Sequence, residues 1–325
     1  MIPARLPTMG GGETVLVTGA STGLGLAIVR ELVAARYQVI ATARQTSLPR
    51  FADAGVFEGQ RLWIRALDVL DADQRSAVVE EVQRRLGGVD ILINNAGVAY
   101  RSVVEHVREE DRLAQMHINY RAPMELARLV LPGMRNRGHG RIINVSSVGG
   151  MMAMPTMAVY SASKFALEGA SEALYYEVRP WNIHVSLIQP GFINSDGFAK
   201  VRFTPLSRAG VDAATDPYYA HYRHMSGFIE RVMRMVPATP QKVARTVMRT
   251  LKSRRPPLRV PATFDARLFA WLRRFLPRRL YHALLYRSLP TIKRWGPAAS
   301  LAPPQGIAST HDVPGNRGPM ALDDQ

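Results

Sequence analysis

The chain has 325 residues, 47% apolar and 21% charged, enough for a sizeable core in one or two domains. With no cysteine, it excludes disulfide scaffolds, thiolate metal sites and thiol nucleophiles. Its net charge of +16 is concentrated between Lys242 and Arg294, where fifteen basic residues accompany one acid, so the remainder is nearly neutral.

Residues 1–12, MIPARLPTMGGG, read as a flexible lead without the apolar run of a signal peptide. No stretch reaches the roughly eighteen apolar residues of a membrane span, so a cytoplasmic protein is expected. ETVLVT (13–18) reads as a buried strand, followed by a glycine-bearing turn and the helical pattern LGLAIVRELVAA. QVIATA and RLWIRAL are further strands, and a helix is expected over 71–86. DILINNAG, RIINVSS and IHVSLIQPG continue the alternation, each separated from the next by a segment of helical period. Beyond Pro240, QKVARTVMRTLKS reads as a helix and PPLRV as a short last strand. This order predicts an α/β fold, a doubly wound parallel sheet of Rossmann-like type, over 13–261. Residues 262–295 form a basic amphipathic helical extension of two helices flanking Pro277, and the Pro- and Gly-rich 296–325 reads as a disordered tail.

TGASTGLG places Gly19, Gly23 and Gly25, with Ser21, Thr22 and Leu24 between them, at a strand-to-helix junction. Glycines there let backbone N–H groups approach a pyrophosphate at the helix N-terminus, although the spacing departs from GxGxxG. The second strand ends Ala-Thr-Ala-Arg44, with no carboxylate for an adenosine ribose 2′-hydroxyl and an arginine suited to a 2′-phosphate. NADP is therefore expected ahead of NAD. In YSASK, Tyr160 and Lys164 are spaced to share a helix face, and an ammonium beside a phenol favours phenolate.

Together these residues resemble the short-chain dehydrogenase/reductase family. TGASTGLG, Asp68-Val69, Asn94-Asn95-Ala96-Gly97, Asn119, Ser147, YSASK and Pro190-Gly191 occur in its order from Thr14 to Pro261. The resemblance implies about seven parallel strands, with Asp68 and Val69 at the adenine and Asn95, Ala96 and Gly97 supporting the central strand and cofactor. It implies that Pro190, Gly191, Ile193 and Ser195 meet the nicotinamide end. In the family's mechanism Tyr160 donates a proton to a carbonyl and Lys164 lowers the Tyr pKa and binds ribose. Ser147 hydrogen-bonds the substrate oxygen, and Asn119 holds a relay water. Ser146 is expected only to pack nearby.

VGGMMAMPTMAV, between Ser147 and Tyr160, makes Met154 and Met157 candidate substrate contacts, with loop packing the alternative. DPYYAHYRHMSGFIERVM falls where the family carries a variable lid, and its aromatics suit a bulky apolar ligand. The C-terminal part loosely resembles the branch with estradiol and photoreceptor-type retinol dehydrogenases, which implies a steroid, retinoid or long-chain carbonyl. A ketoreductase acting on a 3-oxoacyl or biosynthetic intermediate and a non-catalytic NADP-binding regulator are the competing readings. No groove-reading motif accompanies the basic arm, so nucleic acid is not an expected partner. Residues 268, 269, 271, 272, 275 and 276 lie mainly on one helical face, with arginines off it. A peripheral membrane contact through 266–294, closure of the substrate pocket and a subunit interface all remain open for this face. The resemblance also implies a dimer or tetramer through the helices around Asn119 and Tyr160.

Overall fold

The computed structural model describes residues 12–194 and 202–296. The expected lead and tail, apart from Gly12 and Gly296, lie outside the described residues, as does Ser195.

Seven strands form one parallel sheet: β1 (Thr14–Val17), β2 (Gln38–Ala43), β3 (Leu62–Ala66), β4 (Ile91–Asn94), β5 (Gly140–Val145), β6 (Ile183–Gln189) and β7 (Arg259–Pro261). Their order is β3-β2-β1-β4-β5-β6-β7, and Val15 registers with Val39 on one side and Ile91 on the other. The sheet is doubly wound, and its order reverses at β1, which opens a crevice at the carboxyl ends of β1 and β4.

The strands are apolar at successive positions because both sheet faces are covered. Val15, Val17, Ile91 and Ile93 pack towards α1 (Gly23–Ala34) and α9 (Pro240–Lys252). Leu16 and Leu92 face the opposite layer, built by α3 (Ala72–Leu86), α5 (Ala122–Arg137) and α6 (Ala158–Val178). The predicted helix over 71–86 is present. Its N-cap Asp71 accepts from the Asp73 and Gln74 amides, and Gly87 ends it at φ 80°. At mid-sheet the Asn94 side chain donates to Asn144 at 2.8 Å, and Asn144 to Ser171 at 2.8 Å, linking β4, β5 and α6.

The other helices of this part are α2 (Pro49–Asp53), α4 (Glu109–Met116), α7 (Pro205–Asp212) and α8 (Tyr219–Met235), of which α8 reaches the cavity through Ile229. The segment read as a lid becomes α8, whose Met225, Ile229 and Met233 pack on Phe192. Pro277 separates the two predicted helices of the extension, α10 (Phe264–Phe275) and α11 (Arg278–Ser288).

Candidate active site

The loops that follow β1, β4, β5 and β6 converge on a cavity of about 550 Å3. Its floor is the glycine turn. Gly19 has φ +63°, and a Cβ there would come 2.8 Å from Ala96 Cα. At Gly25 a Cβ would meet the Gly19 carbonyl at 2.3 Å and the Asn95 side chain at 2.6 Å. The turn is tied to the β4 loop: Asn95 Nδ2 donates to the Thr18 and Gly19 carbonyls, each at 3.0 Å. Thr18 Oγ1 in return accepts from the Asn95 and Ala96 amides at 3.1 Å. Thr22 precedes α1 in extended backbone and makes no side-chain cap, so that side chain leaves the first amides of α1 to a ligand.

Thr22 and Leu24 line the cavity, while Gly19, Ser21, Gly23 and Gly25 shape the turn behind them. Arg44, exposed, stands on the wall with Asp68 and Val69 from the end of β3. Asn95 and Gly97 line it directly, and Ala96 packs against Gly19. Pro190, Gly191 and Ile193 form the opposite lip.

Ser147, Tyr160 and Lys164 lie on one wall with Met154 and Met157. The first turns of α6 present Tyr160 and Lys164 together, with Lys164 Nζ 5.9 Å from the Tyr160 ring centre. That ammonium donates to the Val145 carbonyl at 2.8 Å. Burial lowers Lys164 from 10.5 to about 8, with the Glu168 carboxylate opposing. Burial pushes the Tyr160 phenol above its ordinary value, and a hydrogen bond with Ser147 pulls it back. This direction is opposite to the one suggested by the Tyr–Lys spacing, because burial dominates, and it leaves a protonated phenol at neutral pH.

Asn119 does not line the cavity. It sits fully buried in a π-helical turn, His117–Arg121, between α4 and α5. Its side chain accepts from the Val98 amide at 2.9 Å and donates to the Val98 carbonyl at 2.8 Å and to Ser163 Oγ at 2.9 Å. It thus fixes the loop carrying Gly97 and Val98 against α6. Ser146, expected only to pack nearby, is buried but also lines the cavity next to Ser147.

Sequence reasoning missed several lining residues, Arg202 among them, and two residues behind the lip. Phe192 and Ile229 complete an apolar wall beside Met154 and Met157, which requires α8 to fold over the β6 loop. Thr263 and Asp265 sit at the start of α10. Thr263 Oγ1 accepts from the Gly191 amide at 2.8 Å, and Asp265 Oδ2 from the Phe192 amide at 2.9 Å. A Cβ on Gly191 would lie 1.9 Å from that carboxylate oxygen, so a side chain there would displace the Asp265 carboxylate. The available signal was Thr263 as an N-cap with an acid in the following turn, which announces a helix start but not its distant partner.

The family model for short chain dehydrogenases matches residues 13–205. Over 247 residues the chain is 33% identical to a 3-ketodihydrosphingosine reductase of Bacteroides thetaiotaomicron, covering 76% of this chain and 86% of that protein. Over 254 residues it is 33% identical to human retinol dehydrogenase 8, covering 76% of this chain and 80% of that protein. A solved metagenomic short-chain oxidoreductase in complex with NADP matches at TM-score 0.58 and 25% identity, covering 78% of this chain and 98% of that one. With the sheet order, the glycine turn and the Ser147–Tyr160–Lys164 wall, these matches place the chain in the short-chain dehydrogenase/reductase family, and it is an oxidoreductase.

Proposed function

We propose that this enzyme transfers hydride between NADP(H) and a hydrophobic alcohol, ketone or aldehyde of the steroid, retinoid or long-chain class. The observation carrying the reading is one cavity wall, where Ser147, Tyr160 and Lys164 adjoin Met154, Met157, Phe192 and Ile229. Polar groups are grouped at one point, and the surface beside them is apolar, as a lipophilic carbonyl requires. The names of the two relatives give retinol and 3-ketodihydrosphingosine, both lipophilic, and the second supports a ketoreductase on a biosynthetic intermediate as the alternative. A turnover screen of steroids, retinoids, long-chain aldehydes and 3-oxoacyl thioesters, read at the NADPH absorbance band, tests this. Turnover of none of these classes would overturn it.

The residues fit a dinucleotide. The close packing at Gly19 and Gly25 and the uncapped start of α1 form a cradle for a pyrophosphate, and Asp68 and Val69 suit the adenine. When bound, the nicotinamide supplies or accepts hydride at the substrate carbon. In the reductive direction the Ser147 and Tyr160 hydroxyls hold the carbonyl oxygen, and the phenol gives it a proton as the carbon is reduced. The Lys164 ammonium stabilises the phenolate left behind. The Asn119 side chain is occupied by Val98 and Ser163, which leaves its main-chain carbonyl to hold a relay water.

Arg44 is proposed to meet the 2′-phosphate. A hydrogen bond to a charged group contributes about 1.5–3 kcal/mol, so Arg44→Ala should weaken NADP roughly ten- to a hundredfold and leave NAD nearly unchanged. An unaltered NADP/NAD ratio would show that the phosphate is read elsewhere.

Asp265 is proposed as a positioning residue for the nicotinamide end, acting through the Phe192 amide. Asp265→Ala should loosen NADP by about tenfold while 2′,5′-ADP, which lacks the nicotinamide, binds as before. Equal losses for both ligands would instead mean general disruption of the fold.

Among the described residues no helix is long and apolar enough to cross a membrane. A homodimer through the α4–α6 surface, where Leu113 and Tyr176 are exposed, belongs to the same proposal.

A further inference from the structure

The structure gives α10 two apolar faces. The inner one buries Ala266 and packs Phe269 and Ala270, together with Leu285 of α11, on Val148, Met151 and Met152 behind the cavity. The arc expected over 268–276 is therefore split. Residues 269, 272 and 276 are half-buried, whereas 268, 271 and 275 point to solvent. Phe264, exposed by 79%, starts this outer stripe, and Trp271 (56%) and Phe275 (61%) continue it with their rings 5.5 Å apart. Positions 264, 268, 271 and 275 recur at three- and four-residue steps, so they form one line along the helix. On α11, Leu280, Leu284 and Tyr286 are exposed while Tyr281 is buried.

Pocket closure accounts for the inner face and leaves the outer one uncovered. The charge around it selects an occupant. Arg267, Arg274, Arg278, Arg279 and Arg287 are exposed on α10 and α11. Asp265, the one acid in 262–296, is hydrogen-bonded to the Phe192 amide. The basic surface continues onto α9, where Lys242, Arg245, Arg249 and Lys252 are all exposed and line a groove shared with Arg267. Glu31 of α1 is the acid in that groove, 3.7 Å from Arg245. A second copy docked face to face would press arginines on arginines. Tryptophan, phenylalanine and leucine flanked by arginine, with no exposed acid on these two helices, match the interfacial region of an anionic bilayer.

We propose that the outer face of α10 and α11 docks on an anionic membrane leaflet, with Phe264, Leu268, Trp271 and Phe275 entering the headgroup–acyl boundary. The arginines and the α9 stripe lie over the lipid phosphates. The helix that touches lipid is also the one whose first turn holds Gly191 and Phe192 at the cavity lip. The cavity is thereby brought close to the bilayer, where a lipophilic substrate concentrates. That consequence rests on the proposed substrate class, whereas the docking does not.

The experiment uses the full chain with phosphatidylcholine vesicles, with and without phosphatidylserine, read by co-sedimentation and tryptophan emission. Binding is expected only with the anionic lipid, weakened by salt, and with a blue shift that disappears in Trp271→Phe. Each arginine near the surface should contribute roughly fivefold, so Arg274→Gln/Arg278→Gln/Arg279→Gln should lose about a hundredfold. Trp271→Gln/Phe275→Gln should also abolish binding while keeping the parent's melting temperature and NADP affinity, because both side chains are exposed. The proposal is overturned if the full chain ignores anionic vesicles at low salt, or if the Trp271/Phe275 variant binds as the parent does. It is overturned equally if that variant instead shifts the protein from a larger to a smaller species on size exclusion, which would make this face a contact between copies. Failure of the substrate screen would leave these vesicle results untouched, so the two proposals fall separately.

Discussion

Tyr160→Phe is expected to lower kcat by about 10²–10⁴-fold while NADP affinity and melting temperature stay near those of the parent. The ring that fills the wall beside Ser147 is retained, and a Cβ at Gly149, 2.9 Å from that ring, shows how tightly it is held. What disappears is the hydroxyl proposed to give the carbonyl oxygen its proton. A phenol is protonated at neutral pH at its ordinary value, and burial pushes this one higher still, so the parent needs no prior protonation step before reduction. Steady-state turnover with the best substrate from the screen, paired with NADP titration, checks the result. Near-parent kcat in the variant would remove Tyr160 from the mechanism. A parallel loss of NADP affinity would instead make it a residue of the binding site.

Lys164→Met should abolish turnover and stabilise the protein at the same time. The lysine is buried, and its fall from 10.5 to about 8 means that the folded state disfavours the ammonium. That fall corresponds to a cost on the order of 3 kcal/mol. The sign follows from which form suffers. Below about pH 8 both folded and unfolded chains are protonated, and the full cost is present. Between 8 and 10.5 it fades, and above 10.5 both states are neutral and nothing remains. Methionine fills a similar volume without charge, although the hydrogen bond to the Val145 carbonyl is lost and offsets about 1 kcal/mol. The variant should therefore melt several degrees higher than the parent at pH 7, and the gain should vanish in strongly alkaline buffer. A lower melting temperature at pH 7 would mean that the ammonium supports the fold. Activity carrying a stability cost at one buried side chain is a common feature of catalytic sites.

Most of the sheet could be read from the chain because each strand is a short apolar run bounded by turn residues. The parallel arrangement follows from their alternation with helices. TGASTGLG and YSASK were legible for a related reason: a tight turn at a strand end and two side chains one helical turn apart are local facts, fixed by spacing. The asparagine run was partly legible. Asn95 bonds the glycine turn some seventy-five residues earlier in the chain, a pairing that no local pattern contains. Asn119, expected as a site residue, lies in a buried π-helical turn rather than on the cavity wall.

The residues of the extension show where sequence stops. Thr263 and Asp265, at the start of α10, hold amides seventy-two and seventy-three residues away at the cavity lip. The boundary between catalytic domain and extension, drawn at 261 from composition, is crossed by these bonds. In the same way, the apolar arc of α10 appeared as one face. A helix can be apolar over a wide arc, and only the position of α11 and the Met151–Met152 loop decides which part is buried and which meets solvent.

By itself, then, the sequence determined most of the strand and helix content and the place of the glycine turn, because short-range spacing and residue type carry those; the roles expected of Ser147, Tyr160 and Lys164 came from the family resemblance. The tertiary structure alone decided which apolar side chains wall the cavity, which amides the extension holds, and which stripe of α10 is left facing solvent. Those outcomes depend on contacts between segments far apart in the chain, and burial and pKa follow from the packing around a residue rather than from its neighbours in sequence.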